Sequence, residues 1–227
     1  MKRIWMAACG AAIAVATACV LATQTDTASA PSRDGGDAVA CANLIYAGTR
    51  SSVCFSDKFL TAVARDTTIN TARKFKPVKL ADREIFQYPF AIMTGEGAYT
   101  LTEAERVNLR RYLERGGFLL ASAGCSSQQW DESFRREVRI IFPTRKLEVI
   151  PMDHEIFHTI YQIKTLKTKG APAKLEGLTI GGKVVLIYSS DGLNDTMTMH
   201  GCCCCGGNEI NNSQQVNANI LAYALLQ

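Results

Sequence analysis

Phe118-Leu119-Leu120-Ala121-Ser122-Ala123-Gly124-Cys125-Ser126-Ser127 decides the fold. Six residues without a charge make a run of strand length, and a strand apolar towards both faces belongs in the middle of a sheet covered on both sides. Gly124 allows a sharp turn directly after it, and a serine then stands where a helix can be capped. Upstream, Thr102 and Glu105 form a capping box, Leu109, Tyr112 and Leu113 make an apolar stripe, and Gly116-Gly117 closes the helix. A second buried strand, Tyr88 to Met93, precedes that helix and ends in Thr94-Gly95-Glu96-Gly97. Downstream, Trp130, Phe134, Val138 and Ile141 recur at helical spacing and stop before Pro143. The core of the chain therefore reads strand, helix, strand, helix.

The same alternation extends in both directions. Ala40 to Tyr46 is a short apolar strand, followed by a helix over 56–66, and Phe75 to Leu80 is a strand that Pro77 confines to an edge. Leu147 to Ile150 is a further strand. Leu175 to Ile180 and Val184 to Tyr188 flank Gly181-Gly182 as a hairpin, and a helix on Val216, Ile220, Tyr223 and Ala224 closes the chain. Short apolar strands alternating with helices predict an α/β fold, doubly wound, with a mostly parallel sheet and helices on both faces. No internal repeat is present, and residues 39–227 form one domain.

The N-terminus has a different character. Lys2 and Arg3 precede an apolar stretch from Ile4 to about Leu21, the pattern of an export signal over 1–30, and a flexible lead-in covers 31–38. Small residues before position 23 or at Ala28 and Ala30 offer cleavage points. Two alternatives are a lipid on Cys19 and an uncleaved apolar anchor; either would bring the chain to a membrane. The expected location is extracytoplasmic, periplasmic or secreted. The formal charge is +4 over 227 residues. Arginines cluster at Arg110, Arg111 and Arg115 and at Arg135, Arg136 and Arg139, but glutamates are interleaved, so both groups read as solvated helix faces rather than a nucleic-acid surface.

Nine cysteines are present, and loss of the leader would remove Cys9 and Cys19. The remainder is odd in number: Cys41, Cys54, Cys125 and the run Cys202-Cys203-Cys204-Cys205. Outside the cytoplasm, such a set pairs, binds metal or leaves a reactive thiol. Ligand sites in doubly wound sheets lie beyond the carboxyl ends of the strands. Cys54, Cys125 and the run each follow a strand, with Thr94 to Gly97 and Asp153-His154 expected on the same edge, whereas Cys41 lies within a strand and reads as core.

Several chemistries remain open at that edge. Thiolates of Cys125 and Cys202 to Cys205 with the imidazole of His200 suit Zn(II) or Cu(I), and the same sulfurs could instead be disulfides pinning a loop. Cys125 at a helix N-terminus is a candidate nucleophile with His154 or His200 as base. His154 and His158 would stack one turn apart if their segment is helical, with Asp153 as cap. Thr94, Gly95, Glu96 and Gly97 could cradle an anion through backbone N–H groups.

The order of motifs resembles a family, domain of unknown function 4159, in the class I glutamine amidotransferase-like superfamily that also contains trehalose-utilisation-type proteins. The resemblance rests on Tyr88-Pro89-Phe90, Met93-Thr94-Gly95 with Gly97, Leu109-Arg110-Arg111-Tyr112-Leu113, Gly116-Gly117-Phe118-Leu119, Phe134-Arg135-Arg136-Glu137, Asp153-His154 and Tyr188-Ser189. It implies a flavodoxin-like sheet and no established activity. Active amidotransferases of the superfamily carry a cysteine on a strand-to-helix elbow and a histidine after a later strand. Here Ala123 stands at the expected elbow, Cys125 comes two residues later, and no His-Pro-Glu follows Tyr188. The expectation is an exported binding domain without the class reaction, carrying a cysteine-rich metal or disulfide centre and meeting a small ligand or an envelope protein. A cysteine- or metal-dependent hydrolase and an envelope interaction module are the alternatives.

Overall fold

The computed structural model describes residues 38–196 and 207–227. The expected leader, the lead-in before residue 38, His200 and the run Cys202 to Cys205 lie outside the described residues. Seven strands form one sheet in the order β2-β1-β3-β4-β7-β6-β5. They are β1 (Cys41–Ile45), β2 (Lys76–Lys79), β3 (Phe90–Gly95), β4 (Phe118–Ala123), β5 (Glu148–Val149), β6 (Glu176–Ile180) and β7 (Lys183–Ser189). The strands from β2 to β7 pair in parallel, and β6 and β5 add antiparallel edges. The helices are α1 (Lys58–Asp66), α2 (Glu103–Glu114), α3 (Gln128–Ile141) and α4 (Ser213–Leu226). This is the expected doubly wound, flavodoxin-like architecture.

Each feature has a local cause. All six residues of β4 are buried, as its unbroken apolar run requires. Pro77 lies in β2, at the edge, where its missing donor faces no partner strand. The Thr102 hydroxyl accepts from Glu105 N, and the Glu105 carboxylate accepts from Thr102 N, completing the capping box of α2. Ser127 caps α3 by accepting from Trp130 N. Gly181 and Gly182, both at positive φ, turn the β6–β7 hairpin.

Two cores form, one on each face of the sheet. On the first face, α2 and α3 cover an aromatic cluster in which Trp130 stacks on Phe134, and Phe134 on Tyr188, with ring centroids 5.1 and 4.4 Å apart. On the second, α1 and α4 cover Phe90 and Phe118, which stack at 5.7 Å. Cys41 is fully buried there, as expected.

Three expectations change. The 153–158 segment is a single 3-10 turn, Glu155–Phe157, so His154 and His158 do not stack on a helix face. The sharp turn after β4 is not at Ala123, which is extended, but at Cys125 and Ser126, with φ of 53° and 52°. The arginines of α3 are not all on a solvated face. Arg135 pairs with Asp131 and with buried Glu176 and stacks over the Tyr188 ring, while Arg136 donates to the Tyr99 carbonyl. These contacts tie α3 to the sheet and to the loop after β3.

The segment between the 155–157 turn and β6 has no regular structure, yet it is firmly attached. Asn219, fully buried on α4, accepts from Ile160 N and Tyr161 N and donates to the Tyr161 carbonyl. One amide side chain thus satisfies three backbone groups that no strand reaches. Asn219→Ala strands all three and is expected to lower stability by about 2–4 kcal/mol, whereas Asn212→Ala, at the half-buried N-cap of α4 where it holds the outer part of this segment, costs under about 1 kcal/mol. Urea denaturation midpoints separate the two, and equal shifts would contradict this account.

Candidate functional site

The strand order reverses direction between β1 and β3, the topological switch point where ligands of such folds bind. In this protein that crevice is filled by its own chain. The Tyr46 hydroxyl donates to the Thr94 carbonyl and accepts from Trp130 Nε1, and Gly95 lies directly over this pair. A Cβ on Gly95 would fall 2.4 Å from the Tyr46 hydroxyl oxygen, so only glycine fits. The turn after β1 folds back over the edge, and Arg50 donates to the carbonyls of Glu96 and Ala98.

The same economy closes the Thr94 to Gly97 loop. Thr94 N donates to Ser52 Oγ, at 2.8 Å, and Gly97 N to Ser127 Oγ, at 3.0 Å. Tyr99 N, a little further on, donates to Ser133 Oγ. Two of the backbone donors that an anion cradle would use, those of Thr94 and Gly97, are thus engaged by serine hydroxyls. What the loop presents outward is the Glu96 side chain, whose Oε1 lies 3.0 Å from Cys125 Sγ.

Cys125 is the centre of a second set of contacts. A Cβ on Gly207 would lie 2.5 Å from the carbonyl carbon of Cys125, so the chain returning at residue 207 rests directly on the Cys125 backbone. Asn208 N donates to Ser126 Oγ at 2.8 Å. The Asn208 side chain donates to Asp191 Oδ1 and to the Ala171 carbonyl and accepts from Gly170 N. Glu209 accepts from Thr196 N and from the Thr196 hydroxyl, and Ile210 N donates to the Gly192 carbonyl. The chain before residue 197 and the chain after 206 are therefore fastened together as a neck. This neck also reaches the Cys54 segment: Ser56 N donates to the Asn194 carbonyl, and Asn194 Oδ1 accepts from Ser122 at the end of β4. The neck thus meets the Cys125 backbone at Gly207 and, at Asn194, the segment two residues after Cys54.

The histidines do not join them. His154 Nδ1 accepts from Ile156 N at 3.2 Å, so that lone pair is engaged in capping the turn. Its ring packs on Tyr223, which packs on Phe118, the first residue of β4. Cys125 follows the opposite end of that strand, about 20 Å along its axis. His158 faces the Met152 carbonyl through Nε2 and the Gln162 amide through Nδ1. The Cys125–His154 pair and the expected placement of Asp153-His154 at the carboxyl edge are both overturned. Among the described residues, no group of three or more His, Cys, Asp or Glu side chains is arranged to hold a metal.

Residues 42–225 match the family described as Domain of unknown function (DUF4159). The chain belongs to this family. A comparison with curated proteins finds no match. In this DUF4159 protein the candidate site is built around the Cys125 turn and the neck. The residues that sequence reasoning missed are the fasteners of the neck: Ser126, Asn194, Gly207, Asn208 and Glu209. The one sequence signal for them is Gly207-Asn208, one residue beyond the cysteine run, a glycine for close approach beside an amide able to bond in both directions.

Two outcomes follow. Gly207→Ala forces the neck off the Cys125 backbone and is expected to destabilise by roughly 1–3 kcal/mol, the usual cost of overpacking, read as a lowered urea midpoint; an unchanged midpoint would refute the contact. Asp191 has its pKa raised, chiefly by burial, with the Asn208 hydrogen bond acting in the opposite sense. A carboxyl held above its unfolded value costs stability as pH rises from the unfolded value through the folded one. Asp191→Asn, which keeps an acceptor for Asn208, is expected to remove that decline, so wild type and variant should diverge progressively above about pH 4; parallel stability–pH curves would show that the carboxyl carries no linkage.

Proposed function

We propose that this protein is an exported binding domain of the class I glutamine amidotransferase-like superfamily that does not run the class reaction. Its functional feature is a cysteine centre at the carboxyl edge of the sheet, in which Cys54 and Cys125 pair with members of the run Cys202 to Cys205. The observation that carries this reading is the neck: Gly207 rests on the Cys125 backbone, and Asn194 is bonded to the Ser56 segment beside Cys54. Ten residues separate Thr196 from Gly207, and they hold all four cysteines of the run. Their tether points lie next to the only two other cysteines at this edge.

The class reaction needs a free thiolate on the elbow and an adjacent base. Cys125 does occupy the strained turn, but the neighbour in contact with it is the carboxylate of Glu96, and His154 is committed elsewhere. A pinned loop above a closed switch point suits recognition of a partner or ligand by the loop surface rather than chemistry in a crevice. Zinc or copper bound by the run is the competing use of the same sulfurs, and one measurement on the native protein distinguishes them.

The protein is purified without reductant, alkylated in the native state, digested and mapped, with metal content measured in parallel. Cys54 and Cys125 are expected in crosslinked peptides that contain residues 202–205, with no stoichiometric metal. Cys41 is expected to stay unalkylated until the protein is denatured, because burial raises its pKa to about 12 and removes access. Alkylation of both Cys54 and Cys125 as free thiols would sink the disulfide reading. Stoichiometric zinc or copper, lost when the run is changed to serine, would replace it with a metal centre.

A further inference from the structure

Lys164, Lys167 and Lys169 stand on the strap between the 155–157 turn and β6, and no aspartate or glutamate occurs between Glu155 and Glu176. The strap is anchored to the segment after residue 207 almost residue by residue. Asn212 accepts from Lys167 N and donates to the Thr165 carbonyl; Asn211 N donates to the Lys167 carbonyl; Asn208 holds Gly170 and Ala171. Ile163 is buried and Leu166 packs against the core on the α4 face, whereas Lys164, Lys167 and Lys169 are all exposed. None of them forms an ion pair among the described residues.

We propose that this strap is a docking surface for the anionic headgroups of a lipid bilayer. Three exposed ammonium groups within six residues, with no acidic residue between Glu155 and Glu176, make a compact cationic patch no more than about 16 Å long. Lysine on a flexible stem meets a delocalised negative surface as a point charge, whereas a single phosphate or carboxylate is better held by the fork of an arginine. A nucleic acid would need aromatic rings between the cations for its bases to stack on. The one aromatic residue of the strap, Tyr161, is instead tied through its hydroxyl to Asp66. Because the asparagine clamps fix the backbone beforehand, docking orders only side chains.

The test is co-sedimentation of the full chain with vesicles of phosphatidylcholine alone or mixed with phosphatidylglycerol, at low and high salt. Wild type is expected to prefer the anionic vesicles and to lose that preference in high salt. The combined Lys164→Gln, Lys167→Gln and Lys169→Gln variant should lose roughly 100-fold of the preference, given about a decade for every 1.4 kcal/mol and about 1 kcal/mol per lysine at such a surface. A control with Lys76→Gln, Lys79→Gln and Lys183→Gln carries the same charge change on other exposed positions and should retain it. Equal binding of wild type to both vesicles would overturn the proposal. So would an unaffected strap variant, or a control that loses as much.

Discussion

At the carboxyl ends of a parallel sheet the backbone runs out of strand partners, and every N–H and C=O left there must find another one or face water. In many α/β proteins a ligand or its waters fill part of that role. Here side chains from elsewhere in the chain do so. Ser52 serves Thr94, Ser127 serves Gly97, Ser133 serves Tyr99, and Arg50 takes the carbonyls of Glu96 and Ala98. The switch-point crevice is therefore part of the fold's own hydrogen bonding. The accessible groups have moved outward, to Glu96, the Cys125 turn and the neck at 196 and 207. A groove of about 430 Å³ does exist, but at the opposite edge, between Tyr88-Pro89 and Gly116-Gly117, with Arg115 over the Phe86 ring.

The order of elements was legible because it depends on neighbours in sequence. An unbroken apolar run such as Phe118 to Ala123, a capping box such as Thr102 with Glu105, and a diglycine turn each carry their own cause within a few residues. The contacts that define the site act over much longer separations. Thr94 and Ser52 are 42 residues apart, Gly97 and Ser127 30, and Asn208 and Ser126 82. Thr94 and Gly97 were legible as donors in need of an acceptor; their acceptors are serines that nothing local marks as partners. The histidine segment failed for a different reason. Asp153 and His154 looked like a helix start, but no apolar stripe follows, and the imidazole itself caps a single 3-10 turn. With that nitrogen engaged, a spacing suited to metal binding loses its meaning.

Buried charge explains how the helices of the first face keep their register on each other and on the sheet. Glu137 on α3 is nearly inaccessible and is met by Arg106 of α2, at 2.7 Å; Glu176 of β6 is met by Arg135 of α3. Removing one partner of such a pair leaves a charge in a poorly solvated place, which is far more costly than never having the pair. Each pair thus adds little net stability but penalises any arrangement in which α3 slides relative to α2 or to the antiparallel edge. Since α3 begins at Ser127 and carries the Cys125 turn at its N-terminus, these pairs also fix where Cys125 stands.

The domain does not depend on its cysteines for a core. Two apolar clusters, one on each face, are of a size that folds without crosslinks. What crosslinks at this edge would constrain is the neck. From Asp191 to Asn212 the chain has no periodic apolar pattern to hold it. The bonds between Thr196 and Glu209, and between Gly192 and Ile210, already shorten the span left to close from about twenty residues to about ten, a saving of only about 0.6 kcal/mol in closure entropy. So small an entropic gain does not account for four polar fasteners and a glycine contact at one place. They are better understood as positioning devices that bring the two ends of the cysteine-bearing segment against Cys125 and the Cys54 segment, where sulfur chemistry can act on a fixed geometry.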